Sequence, residues 1–478
     1  MEIQTKVTLT AKDEAFRDFS LHGNMWKVVL QVGTPLALYQ SLNQIFKILD
    51  TMMASHISAS SVSAVAYLSQ INLMLSALGG GLAVGAGIKI SLAYGKGDYK
   101  MVKERISSLY VMCIILGAVV LLGILPFTEQ FLKMAGTPAE LAAVGKQYFA
   151  VELVTMVITF MNNVYIAVER ARGNSKRILN LNIIVIVVKL SLTAIFVYIL
   201  NGDLVMIAFA SMISQVSLFI FALINSYSRD ENAFGFSLRA ATVKKEVVLP
   251  MIGSSVPVIV EKMAFAFGKI VVNAMSTVYG ALTVGALGVS NNIGGLTTNP
   301  QNGFQEGTAS VISQNIGAGN YKRAIDAFKI TLLINTVMGI AFFALTVYYL
   351  DFISGFFDGN DRAFHQMIMD VYRYEALGTI TLGINASVLA LLYGLGRTRL
   401  TLAINFSRVF VFRIPVLWFL QKYTDFGSRS VGIVMMVSNI SVGIVAAFVG
   451  ILVIWKLKRS NEWKNEQRGM FKENIRKI

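Results

Sequence analysis

The sequence is poor in the residues that most enzymes and secreted domains depend on. One cysteine, Cys113, occurs in 478 residues, which excludes a disulfide framework and a cysteine metal site. The three histidines, His22, His56 and His365, are scattered, so a histidine metal cluster is not expected. Only 14% of residues are charged, where a soluble chain carries roughly a quarter. Acids are scarcer than bases, 27 against 42. The first residues, MEIQTKVTLTAKDEAFRDF, are polar and mixed in charge, with no short apolar core behind a basic start, so they do not read as a cleavable leader. There is no compact Ser/His/Asp group, no HExxH and no carboxylate-rich metal motif. Neither an enzyme, a metal site nor an organic cofactor is expected.

Apolar length is what the chain has instead. Hydrophobic residues make up 55% of it, and mean hydropathy is +0.61. A bilayer core takes about 20 apolar residues of helix. Twelve runs qualify, roughly 26–50, 63–90, 107–127, 141–168, 178–200, 204–226, 249–275, 283–312, 328–350, 370–395, 400–421 and 431–456. They are long and lack a ten-residue alternation, so they read as helices rather than barrel strands. The expected fold is an all-α polytopic membrane protein.

Basic residues collect on one side of these spans. Lys96, Lys100, Lys103 and Arg105 follow the second, and Arg170, Arg172, Lys176 and Arg177 the fourth. Arg229, Arg239, Lys244 and Lys245 follow the sixth, Lys322, Arg323 and Lys329 the eighth, and Arg397 and Arg399 the tenth. The opposite loops hold little beyond Lys133, Arg362, Lys422 and Arg429. Positive loops stay inside, which places both termini in the cytoplasm of a multi-pass cell-membrane protein. The basic tail 457–478 then suits an anionic lipid surface. The formal charge of +15 is accounted for by topology, and nucleic-acid binding is not expected.

The chain also repeats itself. Pro35 pairs with Pro257, 257 − 35 = 222 residues on, and the same step pairs Lys47 with Lys269, Gly81 with Gly303 and Gly85 with Gly307. It aligns YGKGDYK with IGAGNYK. One added residue later, Glu152 pairs with Glu375, Asn162 with Asn385, Gly173 with Gly396 and Asn182 with Asn405. Each unit holds six spans, so the two have the same orientation and are expected to be related by a pseudo-two-fold axis along the membrane normal. The expected layout is an N-terminal segment 1–25, an N-lobe 26–228, a cytoplasmic linker 229–246, a C-lobe 247–456 and the tail. Two such lobes suggest a transporter with a cavity between them. A channel would usually show a re-entrant pore loop, and none is evident.

The order GTP…KILDT…SAVAYLSQ…GGGLAVGAG…YGKGDYK, then RGNSKR, with the echo GALTVGALGVSNN…SQNIGAGNYKRA, resembles the multidrug and toxic compound extrusion (MATE) family across nearly the whole chain. The resemblance implies a monomeric alternating-access antiporter that expels small molecules using inward Na⁺ or H⁺ flow. Pro35 and Asp50 match the proline and the acidic residue of the branch that couples through its N-terminal lobe. That branch also carries an asparagine and, four residues on, an aspartate in its fifth span. Lys189 and Thr193 stand there instead. Another branch has an aspartate near Asn385, and a span-7 glutamate lying further past its proline than Glu261 lies past Pro257. The family's ion site is not transferred intact.

A charge within a span costs at least about 2.5–3.5 kcal/mol near the bilayer centre, so such residues pair or face water. Asp50 is the candidate proton or cation site, with Lys47 on the same helix face as counter-ion. The alternative is a static ion pair. Lys189, Thr193 and Asn182 complete the candidate coupling set. Tyr39, Gln40, Glu261, Lys269, Asn162, Asn385 and Arg413 are the candidate cavity residues, although the asparagines equally suit bonds to kinked backbone and Glu261 suits pairing with Lys262 or Lys269. Glu375 suits a structural tie to Arg373 or a neighbour. Pro35 and Pro257 are the candidate hinges. Buried bases (Lys47, Lys189, Lys262, Lys269, Arg408, Arg413) outnumber the acids Asp50, Glu152, Glu261 and Glu375, which favours anionic or zwitterionic substrates. A lysine near Asp50 favours H⁺ over Na⁺. The rival reading is a flippase for lipid-linked oligosaccharide or another anionic lipid. The glycine-rich GGGLAVGAG lies inside an apolar span with no strand before it, so it reads as a helix-packing face and not a nucleotide loop.

Overall fold

The computed structural model describes residues 7–54, 59–135, 137, 139–226, 232–357, 361–460 and 463, with side chains at 50–54, 59–67 and 139–144 excluded. Most of the basic tail therefore lies outside the described residues. Helices dominate, and twelve helical spans can be followed along the chain. Spans 1 to 6 are Met25–Ala54, Ala59–Lys96, Tyr99–Ile124, Ala139–Ala171, Ser175–Ala194 and Leu204–Ser226. Spans 7 to 9 are Lys245–Ser276, Ala281–Gly317 and Tyr321–Tyr348. Span 10 is a pair, Arg362–Ala376 and Thr379–Gly394, and span 11 another, Thr398–Phe410 and Ile414–Tyr423. Span 12 is Arg429–Lys458. Among the described residues, eight of these are long and apolar enough to cross a bilayer outright, and the span 10 pair makes a ninth. Spans 1, 7 and 8 fall short because they are studded with polar groups, among them Gln40, Gln44 and Lys47, then Glu261 and Lys269, then Asn291, Asn299 and Gln301. A helix that spends apolar length on amides and charges needs protein or water beside it.

Spans 10 and 11 are not continuous helices. The two halves of span 10 bend by 48°. Span 11 stops at Phe410 and resumes at Ile414, where Pro415 lies in the first turn of the second half. Proline has no N–H to give and its ring crowds the carbonyl four residues back, so the preceding turn opens. Span 5 ends in a π-helical turn, Ile195–Ile199, which its sequence does not announce. Ahead of span 1, the polar N-terminal segment holds a helix, Ala11–His22, whose Thr10 Oγ1 accepts from the Asp13 amide at 3.2 Å as a cap.

The described residues form two compact units. The first lies within Met1–Phe16, Leu42–Tyr94 and Asp98–Ala266, the second within Arg17–Ser41, Gly95–Gly97 and Phe267–Ile478. Spans 1 and 7 each contribute one half to each unit. In the first unit an apolar core gathers Leu68, Leu132, Phe149 and Leu204. In the second, Leu287, Ile293, Ile368, Tyr372, Leu417 and Val434 do the same. Large apolar residues such as Leu122, Ile224 and Ile451 point outward, as a lipid-facing surface requires.

The sequence repeat is repeated in geometry. Gly97 and Gly319 end spans 2 and 8 with φ of 78° and 83°, and Gly173 and Gly396 end spans 4 and 10 with φ of 77° and 69°. These left-handed caps favour glycine because a side chain strains a backbone at positive φ whatever the space around it. In the first unit, a Cβ on Gly81 would lie 2.8 Å from Ile259 Cα, and Gly85 presses on the Ser255 backbone. In the second unit, Gly303 presses on the Ala37 backbone and Gly307 approaches Gly33. Ala37 and Gly33 are the 222-residue mates of Ile259 and Ser255. GGGLAVGAG therefore packs helix against helix.

Candidate functional site

In the first unit the expected coupling residues stand on spans 1 and 5. The side chain of Asp50 lies outside the described residues. Lys47, one turn before it, is exposed. Lys189 is half-buried, and Thr193, one turn further along span 5, is fully buried with no hydrogen-bond partner for its hydroxyl among the described residues. Residues four apart share a helix face, so Lys189 and Thr193 present one polar edge just before the π-helical turn. Such turns are frequent at functional sites. Asn182 donates Nδ2 to Ile178 O at 2.8 Å, which is the backbone-bonding role open to it. Asn162 donates to Gln215 O at 3.0 Å and to Gln215 Oε1 at 2.9 Å, tying spans 4 and 6, while its own Oδ1 is buried without a partner among the described residues. Glu261 is buried one turn past Pro257, inside a helix that runs on through the proline. The helix of span 1 likewise continues through Pro35.

The second unit holds Tyr39 and Gln40, both half-buried. Gln40 Nε2 reaches Glu306 Oε1 at 3.4 Å. Glu306 was absent from the expected set of buried acids. Asn385 is buried, its Oδ1 without a partner among the described residues.

A polar cluster forms where the breaks in spans 10 and 11 meet the unbroken helix of span 12. Arg413 occupies the break in span 11 and is only 2% exposed. Its Nε donates to Ser438 Oγ at 3.0 Å and its Nη2 to Asn439 Oδ1 at 3.1 Å. Arg408, half-buried on the first half of span 11, places Nη2 at 2.7 Å and Nε at 3.2 Å from the same Oδ1. Asn439 is fully buried on span 12 and comes this close because Gly378, in the break of span 10, has no Cβ to collide with it. Thr381 Oγ1 donates to Asn439 O at 3.0 Å and fixes that backbone.

Glu375 ends the first half of span 10, buried, and accepts a hydrogen bond from the Ser290 hydroxyl. That partner, rather than the exposed Arg373, is the neighbour to which it is tied. Gly294, one turn beyond Ser290, leaves room for the carboxylate, since a Cβ there would stand 3.0 Å from Oε1. Arg413, Arg408 and Lys269 all lie close enough to Glu375 to act on its charge. Lys269 is half-buried on span 7, which packs onto span 11 through Gly268 and Val409. Three bases thus act on one acid. The arginines were legible from their cost in a span. Asn439 was not, because a lone asparagine in an apolar span gives no sign of its partners.

Family comparison agrees with this architecture. The MatE family model matches residues 35–195 and 257–419, one block in each half of the sequence. The chain belongs to the MatE family. It is a multi-pass membrane transporter and not an enzyme, with the all-α twelve-helix fold of its structural neighbours. This MatE transporter is 21% identical over 457 residues to the probable multidrug resistance protein YoeA of Bacillus subtilis (strain 168), covering 93% of this chain and 95% of that one. It is 23% identical over 323 residues to the multidrug export protein MepA of Staphylococcus aureus (strain NCTC 8325 / PS 47), covering 67% and 71%. Among solved structures, an outward-facing multidrug resistance MATE family transporter of the MOP superfamily matches with TM-score 0.88 at 20% identity, covering 95% of this chain and 100% of that one. A MOP superfamily transporter from Pyrococcus furiosus, described by the reverse polarity of its binding pocket, matches with the same values. At such identity the solved structures establish the fold of the MatE transporter and nothing about its ligands.

Proposed function

We propose that this MatE transporter is an ion-coupled antiporter that exports small organic molecules from the cytoplasm as a monomer, and that its substrates include anionic or zwitterionic compounds. The relatives named as multidrug resistance and multidrug export proteins support the export reading. Two lobes, an N-lobe through span 6 and a C-lobe from span 7, alternate access in this reading. The observation that carries the substrate class is the cluster of bases in the second unit, where Lys269, Arg408 and Arg413 lie within electrostatic reach of Glu375. A pump devoted to lipophilic cations gains from acidic and aromatic walls, which attract cations and do not repel them.

Coupling is assigned to Asp50 with Lys47, Lys189, Thr193 and Asn182, and no organic cofactor is involved. Lys189 supplies positive charge while the site is empty, and proton arrival at Asp50 releases the pair. A fixed lysine repels Na⁺, so H⁺ is the coupling ion. The basic loops support a reading with both termini in the cytoplasm and the tail at the inner lipid surface.

The test is a cell-based export screen of anionic and cationic compounds at two external pH values. Anion export that strengthens as the outside is acidified is the expected result. Export confined to cations, or to a lipid-linked sugar, would replace this reading.

A further inference from the structure

We infer that Arg408, Arg413 and the side-chain amide of Asn439 form a binding site for one carboxylate group of a transported organic molecule, with Lys269 at its open edge. The inference deepens the transporter reading by naming residues of a recognition site.

Donor excess is the first argument. Three guanidinium N–H groups, Arg408 Nε, Arg408 Nη2 and Arg413 Nη2, converge on Asn439 Oδ1. A carbonyl oxygen has two lone pairs, so one donor there is poorly served. The fourth donor, Arg413 Nε, rests on Ser438 Oγ, a hydroxyl that itself donates to Met435 O at 3.1 Å. Asn439 Nδ2 is buried and has no partner at all among the described residues. An added acceptor carrying negative charge would satisfy these groups together.

Charge gives the second. Arg413 donates to two neutral groups, Ser438 Oγ and Asn439 Oδ1, and it shares the second with another guanidinium. Two like charges in a low-dielectric interior repel, and neutral dipoles compensate them incompletely. Glu375 lies within electrostatic reach of both arginines and of Lys269. A planar carboxylate fits a guanidinium fork with two parallel bonds, as chloride cannot.

The third argument is the broken helix. The second half of span 11, Ile414–Tyr423, begins at Arg413, so the positive end of its dipole lies at the guanidinium pair. Discontinuous helices in transporters commonly direct such ends at the carboxylate of a substrate. Arg413 and Asn439 are buried, while Arg408 and Lys269 are half-buried.

Thermal unfolding of the purified full chain in detergent, titrated with sodium acetate, sodium benzoate or sodium chloride, tests this. The variants are R408Q and, as control, R429Q, whose arginine is exposed. We expect saturable stabilisation by both carboxylates in the wild type and R429Q, and apparent affinity at least about tenfold weaker in R408Q, as loss of a charge-assisted fork implies. Should R408Q not fold, R408K is read in its place, since it keeps the charge and loses the fork. Chloride is expected to give no saturable shift. A saturable chloride shift abolished by R408Q would replace the carboxylate with an inorganic anion. No saturable carboxylate shift in the wild type, or one equal in R408Q, overturns the site. None of these readings needs a gradient, so failure here is distinct from failure of export.

Discussion

At the scale of single residues, burial decides which charges matter. Asp13 is 1% exposed and receives Arg172 Nε on Oδ1 at 2.8 Å and Nη2 on Oδ2 at 3.0 Å. Arg172 also reaches Glu169 Oε1 at 3.2 Å. Removing one partner of a buried pair leaves the other uncompensated, at a cost of about 3–5 kcal/mol. Asp13→Ala is expected to lower the unfolding temperature of the purified protein clearly. Asp18→Ala, which breaks an exposed contact to His22, is expected to leave it unchanged. Equal effects would mean that the Asp13 network is not structural. Asp50→Asn addresses coupling instead. It removes the titratable group without changing size, so gradient-driven export should be lost while substrate binding persists. Binding lost together with export would make Asp50 a structural or substrate residue.

At the scale of helices, glycine placement gives the sharpest contrast. Gly80 and Gly81 are adjacent on span 2, yet a Cβ at Gly80 would find only Asn163 Nδ2 at 3.9 Å, whereas at Gly81 it meets Ile259 backbone. Gly80→Ala should be neutral. Gly81→Val should cost about 1–3 kcal/mol or more through overpacking, and Gly303→Val should do the same against Ala37. Yield and unfolding temperature check this, and a tolerated Gly81→Val would dissolve the packing argument. Helices were also where the sequence was least legible. The number of spans and the glycine frame could be read because apolar length and small-residue spacing are local signals. The bend in span 10 could not, since it has no proline and depends on Gly378 accepting Asn439 from span 12. The break in span 11 left a local trace in Pro415. Asn439 left none, because its partners lie 26 and 31 residues away on another helix, and its role depends on how spans 11 and 12 face each other.

At the scale of the whole molecule, the repeat and the charge distribution carry the account. Four left-handed glycines recur in pairs at the same span ends in both halves. The loops they begin are the basic ones. The proposed orientation rests on those loops and has its own test. Cys113, the single native cysteine, is buried, so introduced cysteines can be labelled against a quiet background. Lys133→Cys should react with an impermeant thiol reagent added outside intact cells, and Lys100→Cys only after the membrane is opened. The opposite pattern would invert the topology. The measurement that tests the central claim most directly is uptake of an anionic substrate by purified transporter in liposomes under an imposed pH gradient, and separately under an imposed Na⁺ gradient. Transport driven by the pH gradient, abolished by a protonophore and indifferent to Na⁺, is the predicted result. Transport that follows the Na⁺ gradient and ignores pH, or that needs neither, would contradict it.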